Sequence, residues 1–326
     1  MPEQFGFSLR GMIGSFYQTL EESLAGSWIS RIAFPVLDSR QQTEQYKWLG
    51  MAPAMRKWIG GRHPQGLRSE AYTLDNLKFE STLDFEKDDL RRGQGPQVLV
   101  RIQEMGQFAG AGHWEFLGSG AIDLGESALC YDGDPFFSAS HPGTDKVAAQ
   151  KNLLTASEVP ALNVAVAATP TSAEFAQAVL GCIGHMYGLK SDQGLPINGA
   201  ARSFLLMVPV PLWSAAAGPA AINLPAMGSL LVDNQLVAAA QKMGITIETV
   251  VNPYLGWTVD FALFRTDGRA KPLIRQEEYG VETSQKGPGS EYEHDTGRNQ
   301  FGCNASRNVG YGYWQHAVKA TLSHSG

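Results

Sequence analysis

Cysteine is nearly absent, with only Cys130, Cys182 and Cys303 in 326 residues. Their odd number and wide spacing, without a Cys-x-x-Cys pair, signal neither a disulfide framework nor a zinc site, so a reducing compartment fits best. Long apolar runs are missing as well. Nowhere do about 18 apolar residues follow one another, and Glu3 stands where a signal peptide would be basic, so neither membrane spanning nor secretion is expected. Cations are outnumbered, 26 Lys and Arg against 32 Asp and Glu, for a net charge of −6. That balance argues against a dedicated nucleic-acid binder, whose affinity would come from clustered cations on phosphates, and leaves only passive contact.

Local catalytic signatures are equally scarce. The chain has no Gly-x-Ser-x-Gly, His-Glu-x-x-His, P-loop or dinucleotide fingerprint, and no internal repeat of about 20 to 50 residues. His63, His113, His141, His185, His294, His316 and His324 show no ligand-like spacing and read as packed or exposed side chains. The acid pairs Asp88-Asp89 and Glu277-Glu278 read as solvated surface, because catalytic carboxylates need a fixed separation across a substrate. Asp132-Gly133-Asp134 lacks the later ligands of a calcium loop and predicts a structural turn. No metal, cofactor or catalytic residue is expected.

What is present is a globular composition, 43% hydrophobic and 18% charged, enough for a substantial core in two or more domains. The longest helical signal runs from Pro96 to Gly125. Pro96 suits a first helical turn, and Val98, Ile102, Met105, Ala109, Gly112 and Phe116 recur at steps of four and three. Such a helix is about 45 Å long at ~1.5 Å per residue. Gly106, Gly110, Gly112, Gly118 and Gly120 weaken it by about 1 kcal/mol each, so neighbours must hold it, and they let another backbone come close. Leu9, Ile13, Phe16, Leu20, Leu24 and Trp28 mark an amphipathic N-terminal helix, read either as a detached arm or as packed on its own domain.

Residues 42 to 87 read as a long β excursion rich in aromatics, with strand character at Ala71 to Leu74 and Leu77 to Leu83. It cannot build its own core. Each tryptophan buries roughly 150–250 Å², about 4–6 kcal/mol gross, so Trp48 and Trp58 are candidates either for a neighbouring subunit or for their own domain. Beyond Thr171, helices at 171 to 189 and 234 to 243 mix with strands at 203 to 208, 245 to 251, 258 to 264, 272 to 279, 300 to 305 and 314 to 322. The order lacks regular βαβ alternation and predicts an α+β fold.

Tyr46-x-Trp48-Leu49-Gly50-x-x-Pro53-x-x-Arg56-x-Trp58-x-Gly60-x-Arg62, followed by Asn76-x-x-Phe79-Glu80-x-Thr82, resembles the major head subunit of Mu-like bacteriophages. The similarity continues at Tyr131-Asp132-Gly133, Phe136-Phe137, His141-Pro142, Asn252-Pro253, Lys271-Pro272-Leu273-Ile274 and Gly310-Tyr311-Gly312-x-Trp314. These matches run in order over nearly the whole chain.

The resemblance implies the major capsid fold shared by tailed phages and herpesviruses. It divides the chain into an N-terminal arm at 1–41, an extended β-hairpin loop at 42–92, a peripheral domain at 93–169 and 298–326 with a spine helix at 96–125, and an axial domain at 170–297. It implies self-assembly into hexamers and pentamers of an icosahedral shell around double-stranded DNA contacted non-specifically, in the virion and in the host cytoplasm during assembly. Scaffold and portal would be assembly partners, with a decoration protein as a further one. Trp28, Trp48, Trp58, Arg62 and Phe79 are the inter-subunit contact candidates. Lys47, Lys57 and Lys78 lie in the loop without a motif for covalent cross-linking, so non-covalent assembly is expected. Two alternatives are an encapsulin-like compartment, which shares the fold, and a soluble α+β hydrolase, for which no local nucleophile is in sight.

Overall fold

The computed structural model describes residues 9–47, 72–217 and 243–324. The helix expected over residues 234 to 243 falls almost entirely outside them. The expected long helix is present as a continuous helical run in pieces. Helix α4 (Gly95–Gln107) leads into a five-residue π-helical segment, Phe108–Gly112, then α5 (His113–Asp123) and a closing turn, Leu124–Glu126. Gly110, at φ −78° and ψ −110°, breaks the helical geometry and bends the run there.

The N-terminal helix α1 (Leu9–Leu24) is not detached. It lies along α4 and buries Met12 and Phe16 with Val98, Ile102 and Phe301 in a core of its own. The spine's glycines explain the approach. A Cβ on Gly106 would sit 2.7 Å from the Phe16 carbonyl oxygen, and one on Gly110 would meet Leu20 O at 2.8 Å and also Ser23 Oγ. The short helix α2 (Ile29–Ile32) follows on the other half of the spine, where Gly118 leaves room for Ile29 and Trp28.

Strands β1 (Leu37–Asp38), β2 (Thr43–Tyr46), β3 (Tyr72–Asp75) and β4 (Leu77–Glu86) come next. A short helix α3 (Lys87–Arg91) turns the chain into the spine. After β5 (Leu153–Leu154) and β6 (Asn163–Val164), α6 (Ser172–Gly188) starts at a capping box in which Thr171 and Glu174 satisfy each other's amides. Strand β7 (Ser203–Val208), helix α7 (Trp213–Ala217), then β8 (Thr246–Val251), β9 (Asp260–Arg265), β10 (Leu273–Lys286), helix α8 (Glu291–Thr296), β11 (Arg298–Tyr311), β12 (Ala317–Thr321) and β13 (Ser323–His324) complete the order.

Two larger sheets organise these elements. One has the order β1-β10-β11-β4, and the other β5-β12-β9-β7-β8. In the second, β7 is an interior strand, parallel to β8 and antiparallel to β9. Its run Phe204 to Val208 is almost wholly apolar because both faces are covered. Helix α6 packs Phe175, Val179, Cys182 and Met186 on this sheet with Phe204, Phe261 and Val318. In the first sheet, β10 and β11 form a long antiparallel ribbon with β4 on its edge, joined from Leu273↔Tyr311 to Lys286↔Gln300. Between the two sheets, a central core gathers Trp28, Trp114, Ile122, Phe136, Phe137, Leu273, Ile274, Tyr311 and Trp314.

Candidate functional site

Short motifs far apart in the sequence meet at the end of the spine. Phe136 stacks on Tyr311 at 4.7 Å between ring centroids, and Gly125 leaves space that Phe137 occupies, since a Cβ there would lie 2.5 Å from its ring. Tyr311 donates from its hydroxyl to Ala121 O at 2.7 Å, so the strand is tied to the spine backbone. Gly312 N–H donates to Pro272 O at 2.7 Å, and a side chain at 312 would collide with Lys271 O. Asn252 reaches the spine from the end of β8 by donating Nδ2 to Ser119 Oγ at 2.8 Å. Buried polar groups pair because leaving one unpaired costs roughly 1–3 kcal/mol.

The Asp-Gly-Asp stretch is the turn its sequence predicts, with Gly133 at φ +87°, a conformation that favours glycine. It also brings Cys130 and Asp132 to His141, a juxtaposition that sequence spacing did not reveal. These three are the one group of metal-ligating side-chain types that converge among the described residues. Their geometry is that of a closed hydrogen-bond chain. Cys130 Sγ lies 2.9 Å from Asp132 Oδ1, and His141 Nδ1 lies 2.8 Å from Asp132 Oδ2. Ligands held at about 2.0–2.3 Å around a tetrahedral zinc would stand farther apart, roughly 3.3 Å or more. Burial and the neighbouring Asp132 charge push the Cys130 thiol up, so it stays protonated and donates. Burial alone would raise the Asp132 carboxyl, but hydrogen bonds from His141 and Cys130 outweigh it and hold the group below its usual range.

A second buried polar group sits at the bend of the spine. Arg307, on β11, is 2% exposed. It donates from Nε to His113 Nδ1 at 2.9 Å and from Nη2 to Ala109 O. Its guanidinium lies 4.8 Å from the Trp114 ring centre, and Glu277 Oε1 is 3.9 Å from Nη1. Burial lowers Arg307 to about 10, against the opposing pull of Glu277 and Cys303. The same burial, with the Arg307 charge, lowers His113 to about 4. His113 is therefore neutral, with Nδ1 as acceptor.

Of the predicted contact residues, Trp28 lies in the central core of its own chain and is 8% exposed. Its contacts are intramolecular because Gly118 opens a slot for it on the spine. Trp48, Trp58 and Arg62 lie outside the described residues. Phe79 is half-buried on β4, edge-on to His113 at 4.4 Å. Sequence periodicity missed the exposed apolar side chains Val100, Phe108 and Leu124 and put Phe116 on the apolar stripe, whereas all four are exposed along the length of the spine. Tyr254, itself exposed, meets Phe116 edge to face at 5.7 Å. Exposed aromatics gathered on one element mark interaction surfaces more often than isolated ones do. A hollow of about 470 Å³ beside the spine is an open groove lined by Leu83, Phe85, Gln94, Val98, Arg101 and Glu104. No helix among the described residues is long and apolar enough to cross a membrane.

Residues 9–161 match the family described as Mu-like prophage major head subunit gpT. The Mu-like prophage FluMu major head subunit of Haemophilus influenzae is 31% identical over 107 residues, covering 33% of this chain and 34% of that protein. The major capsid protein of Escherichia phage Mu is 30% identical over 137 residues, covering 41% and 44%. These alignments therefore span less than half the length of either relative. Among solved structures, the procapsid of bacteriophage JBD30 superposes with a TM-score of 0.53 at 22% identity, over 96% of this chain and 75% of that one. That likeness is one of fold.

Proposed function

From the match of residues 9–161 to the Mu-like prophage major head subunit family, and from a phage-capsid fold that extends over the rest of the chain, we propose that the protein is a major capsid subunit. It self-assembles into hexamers and pentamers that close an icosahedral shell around double-stranded DNA. Scaffold and portal act with it during assembly in the host cytoplasm, and a decoration protein is a further partner on the finished shell. The arm is residues 1–41, the extended loop 42–92, the peripheral domain 93–169 with 298–326, and the axial domain 170–297. No catalytic role is assigned.

The observation that carries this reading is the build of the spine. A glycine-bearing helix packs α1 and α2 on one side and presents Val100, Phe108, Phe116 and Leu124 to solvent. A subunit with many neighbours needs such surface, since modest contacts summed over a lattice give a stable shell. Trp48, Trp58, Arg62 and Phe79 are proposed to contribute from the loop. The encapsulin reading shares the fold, but the phage family match covers the arm, loop and spine together. Nucleic acid extracted from native particles tests the choice. Long double-stranded DNA supports a phage head, and protein cargo without DNA rejects it.

A further inference from the structure

Two connections run side by side between the sheets, residues 266–272 from β9 to β10 and 312–316 from β11 to β12. They are tied where Tyr313 N–H donates to Lys271 O at 3.0 Å. Beside them is an open hollow of about 310 Å³ lined by Arg265, Arg269, Tyr313, His316, Ile197 and Ala270. Both charged groups in that lining are cationic. Arg265, its side chain 11% exposed, donates from Nε to Asp267 Oδ1 at 2.6 Å and from Nη1 to Ile197 O at 3.0 Å. Its Nη2 has no hydrogen-bond partner among the described residues, and a Cβ on Gly268 would come within 3.3 Å of that atom. Asp267 is already occupied, because its other oxygen accepts Arg202 N–H at 2.6 Å. Arg269 is exposed and has no acidic partner among the described residues.

The hollow also holds an open acceptor. His316 is 2% exposed. Asn198 donates from Nδ2 to Met186 O and Gln315 O, so its Oδ1 faces the ring and accepts from His316 Nδ1 at 2.8 Å. Burial, and then the Arg265 charge, hold the imidazole neutral by lowering it to about 3, which leaves Nε2 as an acceptor. Nε2 has no partner among the described residues and is not sealed in the core, so it opens to the hollow. A fitting occupant brings an oxyanion for the guanidiniums and an N–H or O–H for Nε2. A phosphodiester at neutral pH has the oxyanion without the donor. An Asp or Glu in a peptide has both, its carboxylate and a main-chain N–H, and this chain is rich in them, 32 against 26 Lys and Arg. We propose that this hollow docks an acidic side chain of a second copy of the chain, with Arg265 and Arg269 holding the carboxylate and His316 accepting an N–H of the same segment. The proposal rests on the shell reading above, in which each subunit meets many neighbours. Complementary charge of this kind selects which surfaces meet, because a like charge in the same place is repelled.

The test uses shells of the full-length chain. Arg269→Lys keeps the charge and adds an amine, which a water-soluble carbodiimide joins to a carboxylate in direct contact. An amide forms, and the water lost is taken up by the reagent as a urea. The expected result is a band of twice the subunit mass from Arg269→Lys shells, containing a peptide that links residue 269 to an Asp or Glu of another copy, and no such peptide from wild type. A second readout is the concentration needed for shell formation. Arg269→Glu should raise it about tenfold or more, while Arg269→Lys stays near wild type. The melting temperature of the free subunit should be unchanged in both variants, since Arg269 has no acidic partner to lose among the described residues. Wild-type assembly by Arg269→Glu, or Arg269→Lys shells without the linked peptide, would overturn the proposal. Arg269→Glu shells that form normally but hold less DNA would also overturn it and assign the hollow to phosphate. Wild type that stays monomeric would remove the shell reading and this contact together, whereas wild-type shells with either negative result remove the contact alone.

Discussion

Arg307 Nε donates to His113 Nδ1 across 2.9 Å, joining β11 to the first residue after the π-helical segment of the spine. The same guanidinium reaches Ala109 O inside that segment, so the bend is held by a side chain from the sheet. A π segment leaves main-chain groups short of their regular partners, and Arg307 supplies one.

Acid should weaken this joint through His113. The folded chain holds His113 at about 4 against an ordinary 6.5. Above pH 6.5 it is neutral in both states and contributes no pH dependence. As pH falls below that value the unfolded chain takes up a proton that the folded chain refuses, so stability declines until about pH 4, by on the order of 3 kcal/mol. His316, lowered to about 3 by burial and then by Arg265, adds a loss in the same direction. His113→Gln keeps an acceptor for Arg307 and removes the titration. Urea melts of the variant between about pH 7 and pH 4 should show a shallower decline than wild type; an unchanged slope would count against a buried neutral His113.

The glycines of the spine are expected to differ sharply in tolerance. Gly106→Ala and Gly110→Ala press a methyl group into the backbone of α1 and should cost about 1–3 kcal/mol. Gly120, with open space around its Cβ position, should accept alanine and gain up to about 1 kcal/mol from better helix propensity. Thermal melts of the three variants check the ordering, and equal losses at all three would refute the close-approach explanation.

Much of this architecture was legible in the sequence, because apolar periodicity reports which face is buried. Pro96 to Gly125 predicted a spine that runs from Gly95 to Glu126, and Ser203 to Val208 was placed to the residue. The sequence predicts β10 only to Tyr279, yet it continues to Lys286, since its far half alternates half-buried and exposed positions that are mostly polar and leave little hydrophobic signal. The alternation from 314 to 322 predicts a strand that starts at Trp314, but Trp314 opens a short turn before β12. The Arg307–His113 contact spans 194 positions, and no local pattern announces such a pairing. The same holds for the stack of His141 on Trp314. Trp28, a contact candidate on the sequence, fills a slot beside Gly118 in its own chain, which no local pattern distinguishes from a slot on another subunit.

Exposed aromatics on the spine should matter to assembly and little to folding. Phe108 and Phe116 are 53% and 47% exposed, so Phe108→Ser with Phe116→Ser should leave the subunit's melting temperature close to wild type. The concentration needed for shell formation should rise about tenfold or more, equivalent to losing ~1.4 kcal/mol at a contact. Sedimentation of assembly reactions measures this, and wild-type assembly by the double variant would remove these residues from the interface.

Assembly is expected to be non-covalent. Cys130, Cys182 and Cys303 are buried free thiols, and burial raises all three above the ordinary thiol range, Cys182 to about 12. Thiols held protonated in this way exchange and oxidise slowly. Mature particles on denaturing gels, with and without reductant, should give a single band near 35.3 kDa, and a ladder of higher bands would contradict this.

The most direct measurement is the mass and image of particles formed when the protein is expressed with its neighbouring head genes, by light scattering and electron microscopy. The capsid reading predicts closed icosahedral shells of megadalton mass built from 35.3 kDa subunits. A persistent monomer of that mass, with scaffold present, would contradict it.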